Sequence, residues 1–247
     1  MQLFGDGELK SFASYENIKS ERNEIYRIFD TYFYLNIPYI FFKHRFYFNS
    51  RHRGFGENAF HSMWYLLFRD FKPINCLEIG VYRGQVISLW GLLSKYFHLE
   101  SNIYAISPFS SSGDSVSKYL VDLDYYEDTI INHKYFGLDI PSLHRSFSTD
   151  KSASLIFKKH KWDLVYIDGC HDYDVVLSDL NNTIQNLNAN GLIVMDDSSL
   201  YFDYIATNGG FKGHPGPSQA AIEFIEKGYL ELVLGVGHIN IFRVPRI

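Results

Sequence analysis

Three aspartates follow two apolar, strand-like runs in the second half of the chain. Asp168 ends the run Asp163–Asp168, and Asp196 and Asp197 follow the letters GLIVM. Neighbouring strands lie about 4.8 Å apart, so carboxylates at the ends of two such strands converge at one edge of a sheet. Three acids this close cannot all remain ionised without a compensating cation. An all-oxygen set favours Mg²⁺, Mn²⁺ or Ca²⁺, so Asp168, Asp196 and Asp197 are predicted metal ligands; the alternative is that they cap loops.

One histidine stands beside these acids. His171 follows Asp168 by three residues in the segment YIDGCHDY, Tyr166 to Tyr173. An imidazole with its usual pKa of about 6.5 is neutral at pH 7 and can accept a proton. We predict that His171 is a general base and Asp168 the second catalytic residue; the alternative is a structural surface histidine. Asp172 is predicted to be the N-cap of the following helix.

A glycine-bracketed turn supplies a second kind of chemistry. The segment LEIGVYRG, Leu77 to Gly84, ends one strand and opens a helix. Because Gly80 and Gly84 lack side chains, a ligand could approach the backbone and the helix N-terminus; close packing of the turn is the alternative. The spacing is not the GxGxxG fingerprint of dinucleotide-binding proteins. Glu78, an acid at the end of a buried strand, needs a polar partner such as a cationic ligand.

A loop rich in glycine and proline, Ser198–Pro217, follows the second acidic segment. Lys212 and His214 within it are predicted to form a lid that reaches the substrate. The helix that follows, predicted from Ser218, would either meet an anion with its free N–H groups or simply begin after a rigid Pro-Gly-Pro turn.

The elements that must position these residues alternate in type. From residue 74 onward, short aliphatic runs alternate with amphipathic segments, which predicts an α/β fold with a mainly parallel sheet. Only Gly235–Gly237 separates the last two runs, which indicates a hairpin. The predicted strands are Asn75–Ile79, Asn102–Ile106, Leu143–Phe147, Asp163–Asp168, Leu192–Asp196, Leu230–Leu234 and His238–Val244. The predicted helices are Asn58–Phe71, Gly84–Phe97, Ser115–Thr129, Lys151–His160, Tyr173–Leu187 and Ser218–Lys227.

Composition limits the class of protein. The chain has 247 residues, of which 46% are hydrophobic and 21% charged, and its net charge is −5. These values predict a folded soluble protein and argue against nucleic-acid binding, which requires summed positive charge. We divide the chain into an N-terminal segment, 1–57, and a domain, 58–247. Cys76 and Cys170 are expected to lie apart without a disulfide, which suits a cytoplasmic protein.

The N-terminal segment is rich in aromatic residues. Its most apolar stretch, Tyr32–Phe48, contains Asn36 and Pro38 and is too short to span a bilayer, so no transmembrane span is predicted. It is predicted to pack on the domain or on a second subunit of a homo-oligomer. Two alternatives are a wall of the dimer or acceptor site and a contact with a membrane surface.

In its motifs the chain resembles the class I S-adenosylmethionine-dependent methyltransferases, and most closely the branch with the motif IDGxHxY. The resemblance spans roughly Asn58 to Val244 and rests on LEIGVYRG, YIDGCHDY, GLIVMDD and the hairpin ending. It implies a Rossmann-like three-layer sandwich with a seven-stranded, mostly parallel sheet and an antiparallel strand from the C-terminal hairpin. It also implies an S-adenosylmethionine cofactor.

The resemblance also implies roles for particular residues. Gly80, Val81, Tyr82 and Gly84 would hold the methionine part of the donor, with Glu78 near its amino group. Ser107 stands where the family has an acid for the ribose, so either Asp114 replaces that acid or the ribose is held differently. Thr149 and Asp150 would contact the adenine, although Asp150 could equally cap a helix. Asp168 and Asp196 could bind the donor's amino end through water instead of a metal.

Together these features predict an O-methyltransferase that methylates a hydroxyl of a small acceptor, with a sugar or glycoconjugate favoured and Mg²⁺ or Mn²⁺ as a further cofactor. Two other functions stay open. One is a nicotinamide-dependent oxidoreductase, which the glycine spacing and Ser107 disfavour. The other is a catalytically silent module that binds the donor.

Overall fold

The computed structural model describes residues 4–5, 8–9, 21–118, 123–206 and 210–245. Its strands are β1 (Phe4–Gly5), β2 (Glu8–Leu9), β3 (Asn75–Ile79), β4 (Asn102–Ser107), β5 (Ser142–Arg145), β6 (Trp162–Ile167), β7 (Leu187–Met195), β8 (Glu231–Val236) and β9 (Ile239–Arg243). The first two pair with each other, and the other seven form one sheet in the order β5-β4-β3-β6-β7-β9-β8.

The sheet is parallel except at its C-terminal end. Strands β3 to β7 pair in parallel, whereas β9 runs antiparallel to both β7 and β8. The hairpin predicted from Gly235–Gly237 places β9 between β7 and β8. The predicted fold class, a Rossmann-like α/β sandwich with a seven-stranded sheet, is confirmed.

Helices cover both faces of this sheet. They are α1 (Arg22–Asn36), α2 (Tyr39–Ser50), α3 (Asn58–Phe71), α4 (Gln85–Tyr96), α5 (Tyr125–Tyr135), α6 (Ala153–Phe157), α7 (Tyr173–Asn186) and α8 (Pro215–Glu226). Successive side chains of a strand point to opposite faces. Leu164 and Tyr166 therefore pack with α3 and α4, whereas Val165 and Ile167 pack with α7 and α8.

Strand order determines where a ligand site can form. From β3 the chain proceeds to β4 and β5 on one side, and it then returns to place β6 and β7 on the other side of β3. In open α/β sheets, ligands bind beyond the carboxyl ends of the strands at such a switch point. The residues that follow β3 and β6 therefore lie at the expected place.

The aromatic N-terminal stretch forms α1 and α2, joined at Ile37–Pro38. Phe29 and Phe41 are buried in the same hydrophobic cluster as Trp64 of α3 and Tyr166 of β6. This contact agrees with the predicted packing on the domain. Among the described residues, no helix is both long enough and apolar enough to cross a membrane.

One predicted helix is wrong at its beginning. The sequence predicts a helix over Ser115–Thr129, but α5 begins only at Tyr125, and residues 119–122 lie outside the described residues. Asp124 caps α5 by accepting hydrogen bonds from the backbone N–H groups of its first turn. Before the gap, the Asp114 carboxylate accepts the N–H groups of Val116 and Ser117, which holds these residues in a turn.

Other boundaries differ by smaller amounts. Helix α8 begins at Pro215 rather than Ser218, because proline fits the first turn of a helix, where its missing N–H has no partner to lose. Strand β7 begins at Leu187, five residues earlier than predicted. Both cysteines, Cys76 on β3 and Cys170 after β6, are free thiols, as expected.

Candidate functional site

Three acids meet at the carboxyl ends of β6 and β7, as their positions in the sequence predict. The Asp168 and Asp196 carboxyl groups are hydrogen-bonded to each other, and the Tyr166 hydroxyl donates to Asp196 Oδ2 at 2.8 Å. Burial, together with the charges of Asp196 and Asp197, raises the pKa of Asp168 well above its usual value. Burial and the charge of Asp197 likewise raise the pKa of Asp196. The site is therefore short of positive charge.

Three histidines surround Asp197. His171 Nε2 lies 3.0 Å from Asp197 Oδ2, and His214 Nε2 lies 3.7 Å from the same oxygen. On the other side, His238 Nε2 lies 3.3 Å from Asp196 Oδ1 and 3.8 Å from Asp197 Oδ1. We call the six residues the acid–histidine cluster: Asp168, His171, Asp196, Asp197, His214 and His238.

Two groups of ligand atoms within this cluster could each hold a metal ion. One comprises His171, Asp197 and His214, and the other comprises Asp196, Asp197 and His238; in each, the ligand atoms lie within 4.8 Å of one another. Among the described residues, Asp168 belongs to neither group. The structure thus adds histidine nitrogens to the predicted oxygen ligands and leaves Asp168 as a hydrogen-bond partner of Asp196.

His171 lies between two carboxylates. Its Nδ1 is 2.7 Å from Asp114 Oδ2, and the same Asp114 oxygen accepts the His171 backbone N–H at 2.9 Å. Burial pushes the pKa of His171 downward, but the hydrogen bond and charge of Asp197, with those of Asp114, raise it overall. The expectation of an unperturbed pKa is therefore wrong, because the sequence did not show that two acids flank the ring.

Asp114 is engaged with His171 rather than exposed to a ribose. Burial opposes its ionisation, yet the N–H groups of His171, Ser117 and Val116 lower the pKa of Asp114 below its usual value. An ionised Asp114 that accepts a hydrogen bond from Nδ1–H orients the imidazole. The other ring nitrogen, Nε2, then points toward Asp197. The suggested replacement of the missing ribose acid by Asp114 finds no support in these contacts.

The turn that carries Asp197 is strained and held in place. Asp197 has φ +52°, a left-handed conformation that costs free energy for a non-glycine residue. Its carbonyl oxygen accepts hydrogen bonds from the His214 N–H and the Ser218 hydroxyl. At Gly213 a β-carbon would lie 2.2 Å from that same oxygen, so the backbone of the loop can lie this close to Asp197 only if residue 213 is glycine.

Residues from both ends of the chain support this turn. The Asn240 side chain of β9 donates to Ser198 and Ser199, directly after Asp197. Arg22 of α1, which is fully buried, donates to Ser199 Oγ at 2.9 Å, to Asn240 Oδ1 at 2.5 Å and to the Gly237 carbonyl at 2.9 Å. The N-terminal helix therefore helps to position the acid–histidine cluster.

The glycine turn after β3, residues 78–84, is called the donor turn here after the role predicted for it, and both of its glycines have left-handed backbone conformations. Gly80 has φ +89° and Gly84 has φ +79°. A β-carbon at Gly80 would lie 2.1 Å from the Asp168 carbonyl oxygen, and one at Gly84 would lie 2.8 Å from Thr129. Both positions therefore require glycine because the turn packs closely against the rest of the chain. This close packing is the alternative to ligand approach that the sequence left open.

Glu78 lies buried at the end of β3. Its Oε2 has no hydrogen-bond partner among the described residues. Burial raises the pKa of Glu78 well above its usual value, and only a backbone hydrogen bond from Ile87 opposes this. An ammonium group that bound here would supply the hydrogen-bond donor that this buried carboxyl oxygen lacks.

The other residues predicted to contact the donor differ in their exposure and in their contacts within the chain. The Ser107 hydroxyl donates to the Val81 carbonyl at 3.2 Å and accepts the Phe109 N–H, so its single proton is already used within the chain. Tyr82 packs at 5.2 Å from the ring of Phe55, and Thr149 is exposed. Asp150, also exposed, accepts the Phe147 N–H at 2.9 Å. It does not cap α6, whose N-cap position is Ser152.

The two lid residues separate in the structure. His214 reaches the acid–histidine cluster, and its ring centroid lies 4.3 Å from that of His171. Burial and the nearby His171 charge lower the pKa of His214. Lys212 instead lies with its Nζ 5.0 Å from the centroid of the Tyr204 ring. Asp172 occupies the N-cap position of α7 as predicted, but its side chain accepts the Ser115 N–H rather than capping the helix.

Sequence reasoning did not identify three contributors to the site: His238, the His171 partner Asp114, and Arg22. For His238 a signal existed. The last strand was predicted to begin at this residue, and the family resemblance placed that strand antiparallel beside the strand ending in Asp196. An antiparallel neighbour begins where its partner ends, so its first residue must lie at the acidic edge. No comparable signal marks Arg22, which lies 177 residues from Ser199 in the chain.

A family described as a methyltransferase domain matches residues 77–198. This match contains the donor turn and most of the acid–histidine cluster. With the seven-stranded fold, it places the chain among the class I S-adenosylmethionine-dependent methyltransferases. The chain is therefore an S-adenosylmethionine-dependent methyltransferase, and the oxidoreductase alternative is set aside.

Solved structures share the fold at low sequence identity. A methyltransferase from Podospora anserina bound to SAH is 17% identical, with a TM-score of 0.61 over 96% of this chain and 100% of that chain. An O-methyltransferase from Bacillus cereus in complex with SAH is 13% identical, with a TM-score of 0.60 over 90% and 99%. The O-methyltransferase TomG from Streptomyces achromogenes, solved with SAM, is 12% identical, with a TM-score of 0.57 over 92% and 99%. No curated protein matches the chain by sequence.

Proposed function

We propose that this protein is an O-methyltransferase that transfers a methyl group from S-adenosylmethionine to a hydroxyl of a small acceptor. The observation that carries the proposal is the placement of His171, which Asp114 orients from one side and Asp197 meets from the other. Proteins that share this fold include the O-methyltransferases from Bacillus cereus and Streptomyces achromogenes, which supports an oxygen acceptor.

The chemistry requires a proton acceptor more than an activated nucleophile. The donor supplies a methyl group that its sulfonium charge already activates, so the protein must align the acceptor oxygen and remove its proton. In the neutral ring, Nδ1–H donates to Asp114 and Nε2 carries the lone pair. That nitrogen would then face Asp197 Oδ2 at 3.0 Å, and two hydrogen-bond acceptors so close need a proton or a cation between them. With a divalent ion on Asp197 in place of that proton, the neutral Nε2 would accept the proton of a substrate hydroxyl at this edge.

A divalent ion fits the same edge. Asp196 and Asp197 would hold it together with a histidine, with Asp168 beside them, because their ligand atoms lie within 4.8 Å of one another and a cation would offset the repulsion between these buried acids. When bound, such an ion would orient the acceptor hydroxyl and lower its pKa. Asp168, as the hydrogen-bond partner of Asp196, would keep that carboxylate in place.

The donor fits the turn after β3. The unpartnered Glu78 Oε2 would receive the amino group of the donor's methionine part, and backbone groups of Val81, Tyr82 and Gly84 would line that part of the site. The exposed Thr149 and Asp150 would border the adenine. Because the Ser107 hydroxyl is already hydrogen-bonded within the chain, we propose that it shapes the loop under the ribose and that the ribose is held by other groups.

The acceptor is proposed to be small and rich in hydroxyl groups, as in a sugar or a glycoconjugate. His214 would contact it beside His171, and Lys212 would lie farther along the same loop. The hydroxyl groups of many saccharides would meet this requirement equally well.

Two measurements test the proposed function. Calorimetry should show binding of S-adenosylmethionine or S-adenosylhomocysteine, and no comparable binding of NAD. A screen with a labelled methyl donor against nucleotide sugars and saccharide fragments should yield methyl ethers that a non-hydroxylated analogue does not. Donor binding without transfer to any hydroxyl, but with transfer to an amine or a thiol, would contradict the oxygen acceptor.

Two further expectations belong to this proposal. A homo-oligomer could form through α1 and α2, which expose the apolar side chains of Tyr34, Leu35, Tyr39 and Phe46. Light scattering on the full chain should then show a dimer or larger species that Leu35→Glu dissociates. The two free thiols agree with a cytoplasmic location, which localisation of the tagged full chain would test.

A further inference from the structure

His238 is the one histidine of the acid–histidine cluster that the proposed reaction does not use. It stands between the hairpin residue Gly237 and the first residue of β9. Because β9 runs antiparallel to β7 and Asn240 pairs with Met195, this position falls beside Asp196 and Asp197. The fold itself thus brings an imidazole to the acidic edge.

We infer that His238 is a nitrogen ligand of a metal ion held with Asp196 and Asp197, and that this ligand makes the site suited to a first-row transition metal such as Fe²⁺, Co²⁺, Ni²⁺ or Zn²⁺. The inference rests on the metal site of the proposed function and names the class of ion that the site takes. Carboxylate sets suit Mg²⁺ and Ca²⁺, whereas imidazole favours the later, softer ions.

The distances agree with ligands of one ion. His238 Nε2 lies 3.3 Å from Asp196 Oδ1 and 3.8 Å from Asp197 Oδ1. Two atoms bonded to one ion at about 2.1 Å lie roughly 3–4 Å apart when the angle between the bonds is about 90–130°. The separation from Asp197 is too long for a direct hydrogen bond, so a hydrogen bond alone does not account for this three-atom arrangement.

The charge of the cluster also calls for a cation. In the described part of the chain, every ion pair of Asp196 and Asp197 is made with a histidine, and none with a lysine or an arginine. Asp168 is hydrogen-bonded to Asp196 and adds a third acid. An ion between Asp196, Asp197 and His238 would supply the positive charge that fixed basic side chains do not.

His238 is held in this position by its surroundings. Its ring makes edge contacts with Phe60 and Phe211, at centroid distances of 4.8 and 5.1 Å. Its carbonyl accepts the Ser198 N–H, which ties the hairpin to the turn after Asp197. The preceding Gly237 has φ +58°, and its carbonyl accepts a hydrogen bond from Arg22. A ligand fixed in this way loses little conformational freedom when an ion binds.

The test measures metal binding rather than turnover. The full-length chain, stripped with a chelator, is titrated with Co²⁺ and separately with Mg²⁺, and the Mn²⁺-loaded protein is examined by pulsed EPR for nitrogen hyperfine coupling. His238→Gln should weaken Co²⁺ binding about tenfold or more, change Mg²⁺ binding less than twofold, and remove the nitrogen coupling. The exposed His98, replaced as His98→Asn, is the matched control and should leave all three readings unchanged.

Three outcomes would overturn the inference. One is Co²⁺ affinity and EPR coupling that stay the same in His238→Gln. Another is their loss in His214→Gln instead, which would place the ion on the other side of Asp197, with His171. The third is absence of divalent-ion binding in the wild-type chain. If His238→Gln does not fold, judged by circular dichroism, the EPR of wild-type protein with isotopically labelled histidine still decides whether nitrogen binds the ion.

The proposed function stands or fails separately. Metal ions bound by oxygen ligands alone, with normal methyl transfer, would refute the role of His238 and leave the function intact. Methyl transfer that continues after complete removal of divalent ions would refute the metal part of the function. Donor affinity, measured with S-adenosylhomocysteine, should be unchanged in His238→Gln, since Glu78 and the donor turn lie on another strand.

Discussion

The donor turn and the acid–histidine cluster lie at the same edge of one sheet but are built in different ways. The donor turn consists of seven consecutive residues, and its glycines pack against the backbone of Asp168 and the side chain of Thr129. The acid–histidine cluster draws its side chains from four separate segments, and its charges remain in excess. A site made from one segment depends on local backbone conformation, whereas one made from several depends on how distant segments are held.

This difference predicts which quantity, donor affinity or the rate of methyl transfer, changes when each region is mutated. Changes in the cluster should lower the rate of methyl transfer with little effect on donor affinity. Changes in the donor turn should do the reverse. Changes in Arg22, which joins the N-terminal helix to the cluster, should affect stability and rate together.

The largest effect is expected for His171→Ala. Loss of a general base lowers kcat by roughly 10²-fold or more, and the affinity for S-adenosylhomocysteine should stay close to wild type because His171 is not part of the donor turn. Steady-state kinetics and calorimetry on the same preparation measure the two quantities, with His98→Asn as the control. A near-normal kcat would transfer the base role to another member of the cluster and leave His171 as a loop residue.

The next effect concerns the support of the cluster. Arg22→Leu removes the hydrogen bonds that this side chain donates to Ser199, Gly237 and Asn240 and leaves these buried acceptors without their donor. The free energy of unfolding should fall by about 2–4 kcal/mol, as measured by denaturant titration.

A second arginine on the same helix provides the control for that measurement. Arg27, whose side chain is 74% exposed, makes its one ion pair among the described residues with the nearby Glu24, so Arg27→Leu should change stability by less than about 0.5 kcal/mol. If the two variants lose the same stability, the buried contacts of Arg22 do not support the cluster. A stable Arg22→Leu protein with normal kcat would lead to the same conclusion.

How much of each region the sequence could predict follows from the same difference. The strand, turn and helix that form the donor turn were predicted from the sequence, since three such elements in succession fix the local backbone, whereas donor binding by Glu78 and the two glycines stays a prediction. The acids of the cluster were also predicted, because they directly follow two neighbouring strands: Asp168 follows β6, and Asp196 and Asp197 follow β7. The surroundings of His171 were not, since Asp114 lies 57 residues away and reaches it only through the turn at Val116 and Ser117. In that stretch the sequence predicted a helix from Ser115 onward, so the turn held by the Asp114 carboxylate was not foreseen.

A smaller effect is expected at the donor turn. Glu78→Gln preserves the shape of the side chain and removes the charge that would pair with the donor's ammonium group. A charge-assisted hydrogen bond contributes about 1.5–3 kcal/mol, so the Kd for S-adenosylhomocysteine should rise roughly 10- to 100-fold while kcat at saturating donor changes little. Calorimetry measures the first and kinetics the second. A lower kcat with unchanged Kd would contradict this prediction, because Glu78 would then affect the rate of methyl transfer and not donor affinity.

The smallest effect concerns the pH dependence of donor binding, and it follows from the state of Glu78. Burial raises the pKa of this carboxyl well above its usual value, so the donor-free protein keeps a proton there at pH values at which an ordinary glutamate is ionised. An ammonium group favours the ionised carboxylate, and binding must therefore release that proton. Because protons compete with the donor, the Kd for S-adenosylhomocysteine should fall as pH rises, by at most about tenfold per pH unit, until Glu78 ionises without ligand or the ligand's own ammonium group loses its proton.

The folded protein, which holds this proton more tightly than the unfolded chain, should correspondingly lose stability as pH rises through the raised pKa of Glu78. Calorimetry in buffers of different ionisation enthalpy measures the proton release directly, and Glu78→Gln should abolish it. Proton release that persists in Glu78→Gln would assign it to the acid–histidine cluster, and the two regions would then be coupled through charge rather than separate.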